Sequence, residues 1–162
     1  MQIRRATVQD ISGIDRLLSE VLEVHHQGRP DLFKTGARKY TDAQLRSILA
    51  DDATPVFVAV PTDANSDGTD ILGYAFCVFQ RHPHDNILTD ITTLYIDDLC
   101  VDESVRGEHV GSSLYHYVVG YAKASGCYNV TLNVWSCNPK AQRFYEAMGL
   151  VPYKIGMEHI LS

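Results

Sequence analysis

The stretch Arg106-Gly107-Glu108-His109-Val110-Gly111-Ser112-Ser113 constrains this chain most, because it sets a cation, glycines and hydroxyls where a strand-type segment gives way to a helix-type one. The start of a helix carries unpaired backbone N–H groups and a partial positive charge, so an anion is held there by hydrogen bonds and dipole together. Arg106 adds a full charge beside them. A glycine turn between strand and helix is common for steric reasons alone, so its context decides its meaning. No Lys-Ser/Thr follows the second glycine, which excludes a Walker loop, and the spacing is not that of a dinucleotide GxGxxG turn.

The flanking segments order themselves by apolar period. Ile3 to Ala6 reads as a first strand, and Ile11, Ile14, Leu18, Val21 and Leu22 recur at helical spacing as far as about His25. Residues 26–40 read as an irregular connection, with a short turn at Asp31 to Phe33. Thr41-Asp42-Ala43-Gln44 is a capping box that opens a second helix to about Ala50. Pro55 to Val60 and Ile71 to Gln80 are apolar and β-branched and flank the turn-forming Asp63 to Thr69, which predicts a hairpin. After a polar connection, Arg81 to Asp90, Ile91 to Val101 forms a long strand. A helix from Val110 stops at Gly126, a strand runs from Asn129 to Val134, Asn138-Pro139 caps and opens a further helix that Met148-Gly149 closes, and Tyr153 to Leu161 reads as a final strand. The order β-α-α-β-β-β-α-β-α-β makes one α/β domain of the whole chain, 1–162.

With these elements in place the chain resembles the GNAT N-acetyltransferase superfamily, whose pyrophosphate loop reads Arg/Gln-x-x-Gly-x-Gly/Ala between a strand and a helix. Arg106 to Gly111 carries that pattern, with His109 in place of the first loop glycine. The preceding strand, Ile96-Asp97-Asp98-Leu99-Cys100-Val101, and Asn138 with Arg143-Phe144-Tyr145-Glu146-Ala147-Met148-Gly149-Leu150 extend the resemblance to nearly the whole chain. It implies an α+β fold of the GNAT type: a mixed, mostly antiparallel central sheet with a splayed parallel strand pair and helices on both faces.

The resemblance further implies transfer of acetyl from acetyl-CoA to an amine by direct attack in a ternary complex, with no covalent enzyme intermediate. It places the coenzyme diphosphate on backbone N–H groups of Gly107 and of His109, Val110, Gly111, Ser112 and Ser113, near Arg106. The pantetheine arm lies along the edge at Leu99, Cys100 and Val101, with Asn138 and Tyr145 beside it, and the Leu99 amide polarises the thioester carbonyl. His109 tolerates a positive φ better than bulky residues do, and it either faces solvent or touches phosphate. Tyr145 is the candidate general acid, since a phenol with a pKa of about 10 suits a departing thiolate. Its periodicity alone places it in an apolar stripe with Ala141 and Met148. Asp97 and Asp98 are candidate bases, or binders of the acceptor's charge. Strand alternation puts Asp97 on the face of Leu99 and so favours Asp97, and a bulge exchanges the two.

Composition narrows the partners. A formal charge of -6 argues against a nucleic-acid partner and, with the aspartate pair, favours a small cationic amine acceptor, with residues 24–40 and 81–90 as pocket walls. Protein N-terminal or lysine acetylation and a non-catalytic acyl-CoA sensor are the alternatives. The 4 cysteines lack CxxC spacing and sit mostly in apolar segments, as free thiols do in a reducing compartment. No signal-like or membrane-length run occurs, so a cytoplasmic protein away from membranes is expected. His25-His26 and His82-Pro83-His84 lack the partners of a metal site, so no metal is expected. The family resemblance makes a homodimer possible.

Overall fold

The computed structural model describes residues 1–62 and 70–161. Strand β1, Gln2–Arg5, leads through a 3-10 turn at Val8–Asp10 into helix α1, Ile11–Gly28. Helix α2 spans Asp42–Ala50, strand β2 Val56–Val60, β3 Gly73–Gln80 and β4 Thr93–Val101. A 3-10 turn, Glu103–Val105, precedes helix α3, Val110–Ala124, which is followed by strand β5, Asn129–Leu132, and helix α4, Pro139–Ala147. The strands form a 5-stranded sheet in the order β1-β2-β3-β4-β5, antiparallel except for the parallel β4–β5 pair. The mixed sheet of a GNAT fold is therefore present. β2 and β3 pair as the hairpin reading requires, while the turn at Asp63 to Thr69 lies outside the described residues.

Alternation along the central strands divides the core into two layers. Val56, Val58, Val60, Tyr74 and Phe76 face one side and meet Ile14, Leu17 and Leu18 of α1 and Leu45 and Leu49 of α2. Phe57, Ala75 and Cys77 face the other, under Tyr115, Val118 and Ala122 of α3. A sheet covered on both faces needs apolar residues at every position of its middle strands, and β2 is buried along its whole length.

Two local devices seat the helices. Asp10 is fully buried, and its carboxylate accepts from Arg4 Nη1 and Nη2 at 2.8 and 2.9 Å and from the Thr7 amide at 2.7 Å, tying the start of α1 to β1. Burial works to raise its pKa, but the Arg4 and Thr7 hydrogen bonds outweigh it and hold the carboxyl below the ordinary value. The Thr41–Gln44 capping box is formed in both directions, Gln44 N to Thr41 Oγ1 at 3.2 Å and Thr41 N to Gln44 Oε1 at 2.8 Å.

Most boundaries fall within two residues of the sequence reading, with β3 and β4 starting at Gly73 and Thr93 and β5 ending at Leu132, and two differences are larger. Helix α1 continues to Gly28, since nothing interrupts it before Gly28-Arg29-Pro30, and a side chain at Gly28 would meet Cys137 Sγ at 2.8 Å. Tyr153 to Leu161 forms no strand. Its alternating apolar pattern suits one, but a strand exists only against a neighbour, and no described backbone pairs with this segment.

Candidate active site

The turn between β4 and α3 is a backbone construction. Asp102 accepts from Ser104 N at 2.8 Å and Ser104 Oγ at 2.6 Å and receives Arg16 Nη1 at 2.6 Å, which anchors the turn to α1. These hydrogen bonds, those of Ser104 foremost, lower the Asp102 carboxyl to about 2. Gly107 then takes φ +93, and His109, the N-cap of α3, takes φ +62 in the left-handed region. His109 thus adopts the conformation for which a glycine would serve, one that histidine tolerates better than bulky residues do.

Among the described residues, the amides of Gly107, His109, Val110, Gly111 and Ser112 donate to no protein acceptor. The Ser113 amide, grouped with them on sequence grounds, is taken: it donates to the His109 carbonyl at 3.0 Å, which also accepts from Ser112 Oγ at 2.9 Å. Gly111 has a separate steric duty, because a Cβ there would lie 3.3 Å from Val101 Cγ2 and 3.4 Å from Phe144 Cζ. Its absence lets α3 approach α4. Arg106 is exposed and pairs with Glu103 at 2.8 Å.

Strand β4 borders a gap. It pairs with β5 only over Thr93 to Ile96, so from Asp97 to Val101 its β5-facing edge has no strand beside it. Asp102 N donates to Leu72 O on the β3 side, and alternation therefore turns the amides of Leu99 and Val101 toward the gap and that of Cys100 toward β3. The Cys100 side chain is buried, with its thiol pushed up to about 12 by burial, so an activated thiolate is not formed there.

The register gives β4 a bulge. Cys77 opposes Ile96 and Phe76 opposes Asp98, which leaves Asp97 as the extra residue. Ile96 and Leu99 consequently pack under α3, while both Asp97 and Asp98 turn to the opposite face and meet Lys39 Nζ at 3.2 and 3.6 Å. The expectation that Asp97 shares the face of Leu99 is corrected on this point, since uninterrupted alternation does not pass through a bulge.

The two carboxylates sit in unlike surroundings. Asp97 is 37% exposed, whereas Asp98 is 11% exposed and accepts a hydrogen bond from the Tyr74 hydroxyl at 3.0 Å. Burial pushes the Asp98 carboxyl up, against Lys39 and the Tyr74 hydroxyl, which both favour the ion. For Lys39 burial works downward, but Asp98 and Asp97 outweigh it and hold the ammonium above the ordinary lysine value. Burial also lowers the nearby His25 imidazole, against the pull of Asp98. Tyr40 stacks on Phe76, and a cavity of about 170 Å³ lined by Tyr40, Ile48, Thr54, Phe76, Cys77 and Asp97 opens beside this cluster. A hollow of about 370 Å³ at the β1 edge, between Arg4, Val60 and Thr62, contains none of these groups.

Helix α4 supplies Tyr145. Asn138 Oδ1 caps this helix by accepting from Ala141 N at 3.2 Å, so its side-chain oxygen already has a structural partner. Phe144 fills the space left by Gly111, which frees Tyr145 from that packing role. Burial, with the charge of Asp98 next, pushes the Tyr145 phenol well above its usual value, and its hydroxyl makes no hydrogen bond among the described residues. Such a phenol stays protonated through the physiological range. Lys39 and Tyr74 were missed by sequence reasoning: Lys39 lies in an irregular segment, and Tyr74 sits at a core position of β3 where apolar packing is the usual reading. Regular register sets Tyr74 beside Asp98, and the bulge adds Asp97 to the same face.

Comparison with known proteins shows the family and the fold. The model of the acetyltransferase (GNAT) family matches residues 19–150. Glucosamine 6-phosphate N-acetyltransferase 1 of Oryza sativa subsp. japonica is 32% identical over 63 residues, 39% of this chain and 36% of that protein, so the chain spans little more than a third of that relative's length. The crystal structure of a point mutant of the BH1408 protein from Bacillus halodurans is 30% identical with a TM-score of 0.92, covering 100% of both chains. Glucosamine-6-phosphate N-acetyltransferase from Arabidopsis thaliana shares the fold at 22% identity, with a TM-score of 0.67 over 99% of this chain and 98% of that one.

Proposed function

Because the chain belongs to the GNAT acetyltransferase family, we propose that it transfers acetyl from acetyl-CoA to the primary amine of a small cationic acceptor, by direct attack in a ternary complex. The observation that carries the choice of acceptor is the seat of Lys39. A primary ammonium already lies between Asp97 and Asp98, at the edge of the cavity and on the strand that borders the gap. Groups that hold one alkylammonium ion suit another.

In this reading the free amides from Gly107 to Ser112, with Arg106 swung from Glu103, hold the diphosphate, and the pantetheine lies along Leu99, Cys100 and Val101, past Asn138. Asp98 takes the proton of the attacking amine, directly or through water, because its raised pKa makes it a better base than an exposed carboxylate. Asp97 and the displaced Lys39 set the charge around it. The nitrogen bonds to the thioester carbon, the Leu99 amide stabilises the oxyanion, and on collapse the carbon–sulfur bond breaks and Tyr145 protonates the departing thiolate. The proton count closes: the acceptor's ammonium gives one proton to Asp98, and through it to solvent, before the attack, and the second proton leaves the nitrogen as the intermediate collapses and replaces the one that Tyr145 gives to the thiolate, so one proton is released overall.

Thiol release from acetyl-CoA, followed against a panel of amines, tests this. Polyamines and amino sugars should be turned over, and glucosamine 6-phosphate, the amine in the rice relative's name, should be poorer because its phosphate faces the acidic pair. Turnover of peptide amines alone would reassign the acceptor to proteins, and coenzyme binding with no turnover on any amine would favour a sensor.

A further inference from the structure

The cavity of about 170 Å³ beside the aspartate pair changes its chemistry abruptly from rim to wall. At the rim lie Asp97 and, 3.2 Å from its carboxylate, Lys39 Nζ, which also stands 5.3 Å from the centre of the Tyr40 ring. The wall behind is apolar. Ile48 of α2 and Phe76 and Val78 of β3 form it together with the Tyr40 ring, which stacks on Phe76 with centroids 5.9 Å apart. The polar side chains of the wall are already committed: Thr54 Oγ1 donates to the Ile48 carbonyl at 3.0 Å, and the Tyr40 hydroxyl lies at Lys39 on the rim. Burial pushes the Cys77 thiol up to about 12, so it stays neutral. Among the described residues, Asp97 is the one charged group that lines the cavity.

A second ammonium or a set of sugar hydroxyls placed against this wall would give up water and find no partner, whereas a hydrocarbon group loses nothing by entering. An apolar cavity of about 150 Å³ takes up a benzene ring, so this one has room for a body of that size. Its position fits as well. The cavity lies over β3, where Phe76 opposes Asp98, and the gap lies on the other side of β4, where no strand runs beside it from Asp97 onward. An amine with its nitrogen on the aspartates and its carbon body over Phe76 and Val78 therefore points the nitrogen toward the gap. A body turned the other way would occupy the place of the coenzyme.

We propose that the preferred acceptor is a primary monoamine whose carbon body is uncharged, apolar and about the size of one six-membered ring, with Tyr40, Ile48, Phe76 and Val78 setting that preference. This rests on the acetyl-transfer reading and narrows it. Polyamines and amino sugars remain acceptors but poorer ones, since each sends polar groups into a wall that cannot meet them. The face of Tyr40, which already carries the Lys39 ammonium, holds the incoming one by the same attraction of cation to ring.

Initial rates of thiol release at saturating acetyl-CoA, with benzylamine, isopentylamine, ethylamine, spermidine and glucosamine as acceptors, test it. Benzylamine and isopentylamine should exceed spermidine and glucosamine at least about 10-fold in kcat/KM. Val78→Phe, which fills the cavity, should lower the ratio of benzylamine to ethylamine turnover at least about 10-fold. Spermidine or glucosamine as good as benzylamine, or a ratio that the variant leaves in place, would overturn the proposal and leave acetyl transfer standing. Absence of turnover on every amine would instead sink acetyl transfer, and calorimetry with CoA present then decides the acceptor by itself. Benzylamine bound at least about 10-fold more tightly than spermidine upholds the apolar wall, and anything less overturns it. The wild-type ranking decides the matter even if the variant does not fold.

Discussion

Between Gly107 and Ser112 the groups offered to a ligand are backbone amides of one continuous turn, whereas the carboxylates of Asp97 and Asp98 are completed by Lys39 and Tyr74, which come from two other segments of the chain. The first arrangement depends on backbone conformation, and several side chains can reach it, as His109 does at φ +62. The second depends on side-chain identity and on a one-residue irregularity in β4. Changes in the turn should therefore act on coenzyme affinity, and changes in the carboxylate cluster on rate and acceptor recognition.

The largest effect is expected from Asp98→Asn, which should lower kcat about 1,000-fold while acetyl-CoA affinity by calorimetry stays within twofold. A parallel loss of coenzyme affinity would break the division between the two regions. Tyr145→Phe should lower kcat about 100-fold, again with near-normal acetyl-CoA binding. An unchanged rate would return Tyr145 to the apolar stripe. Arg106→Ala should weaken CoA binding by about 1.5 kcal/mol and leave the rate at saturating coenzyme unaltered, with equal affinity refuting its place at the diphosphate. Lys39→Met sharpens the comparison through pH. Lys39 lowers the Asp98 pKa, so its removal should raise it further, and the acidic limb of kcat/KM for the amine should move to higher pH. A limb that stays in place would mean that Asp98 is not the titrating base. Thr41→Ala removes one half of the capping box beside Lys39 and should cost about 1 kcal/mol of stability by denaturant unfolding.

Acid should act on the scaffold through Asp10. Its folded pKa lies below the unfolded value, so its contribution to stability is present above the unfolded pKa, near 4, and is lost as pH falls through the folded one. Unfolding free energies measured on the acid side should flatten in Asp10→Asn relative to the wild type.

What the sequence makes legible follows from how local each feature is. The glycine turn, the Thr41 box and the Asn138 cap are contiguous, and their geometry follows from residues within a few positions of one another. The layering of β2 and β3 follows from strand alternation, which sends successive apolar side chains to opposite covered faces. The bulge at Asp97 leaves no mark in residue order, because it is set by pairing with β3, and without it the face of Asp97 is assigned wrongly, while that of Asp98 follows from alternation. The contact of Lys39 with the pair is likewise invisible, since it spans 58 residues of chain. The strand expected at Tyr153 to Leu161 shows the converse error: a valid local pattern whose partner does not lie within the same chain's described backbone.

The position of Lys39 has a consequence for how the pocket fills. An incoming monocation that takes its place performs an ion exchange, leaving the charge inside the cavity as it was, so Asp97 and Asp98 never stand bare against each other in a poorly solvated space. If the acceptor binds as proposed, a tethered counter-ion of this kind makes the resting enzyme its own weak competitor, and occupancy by the acceptor should depend less on ionic strength than two exposed carboxylates alone would dictate.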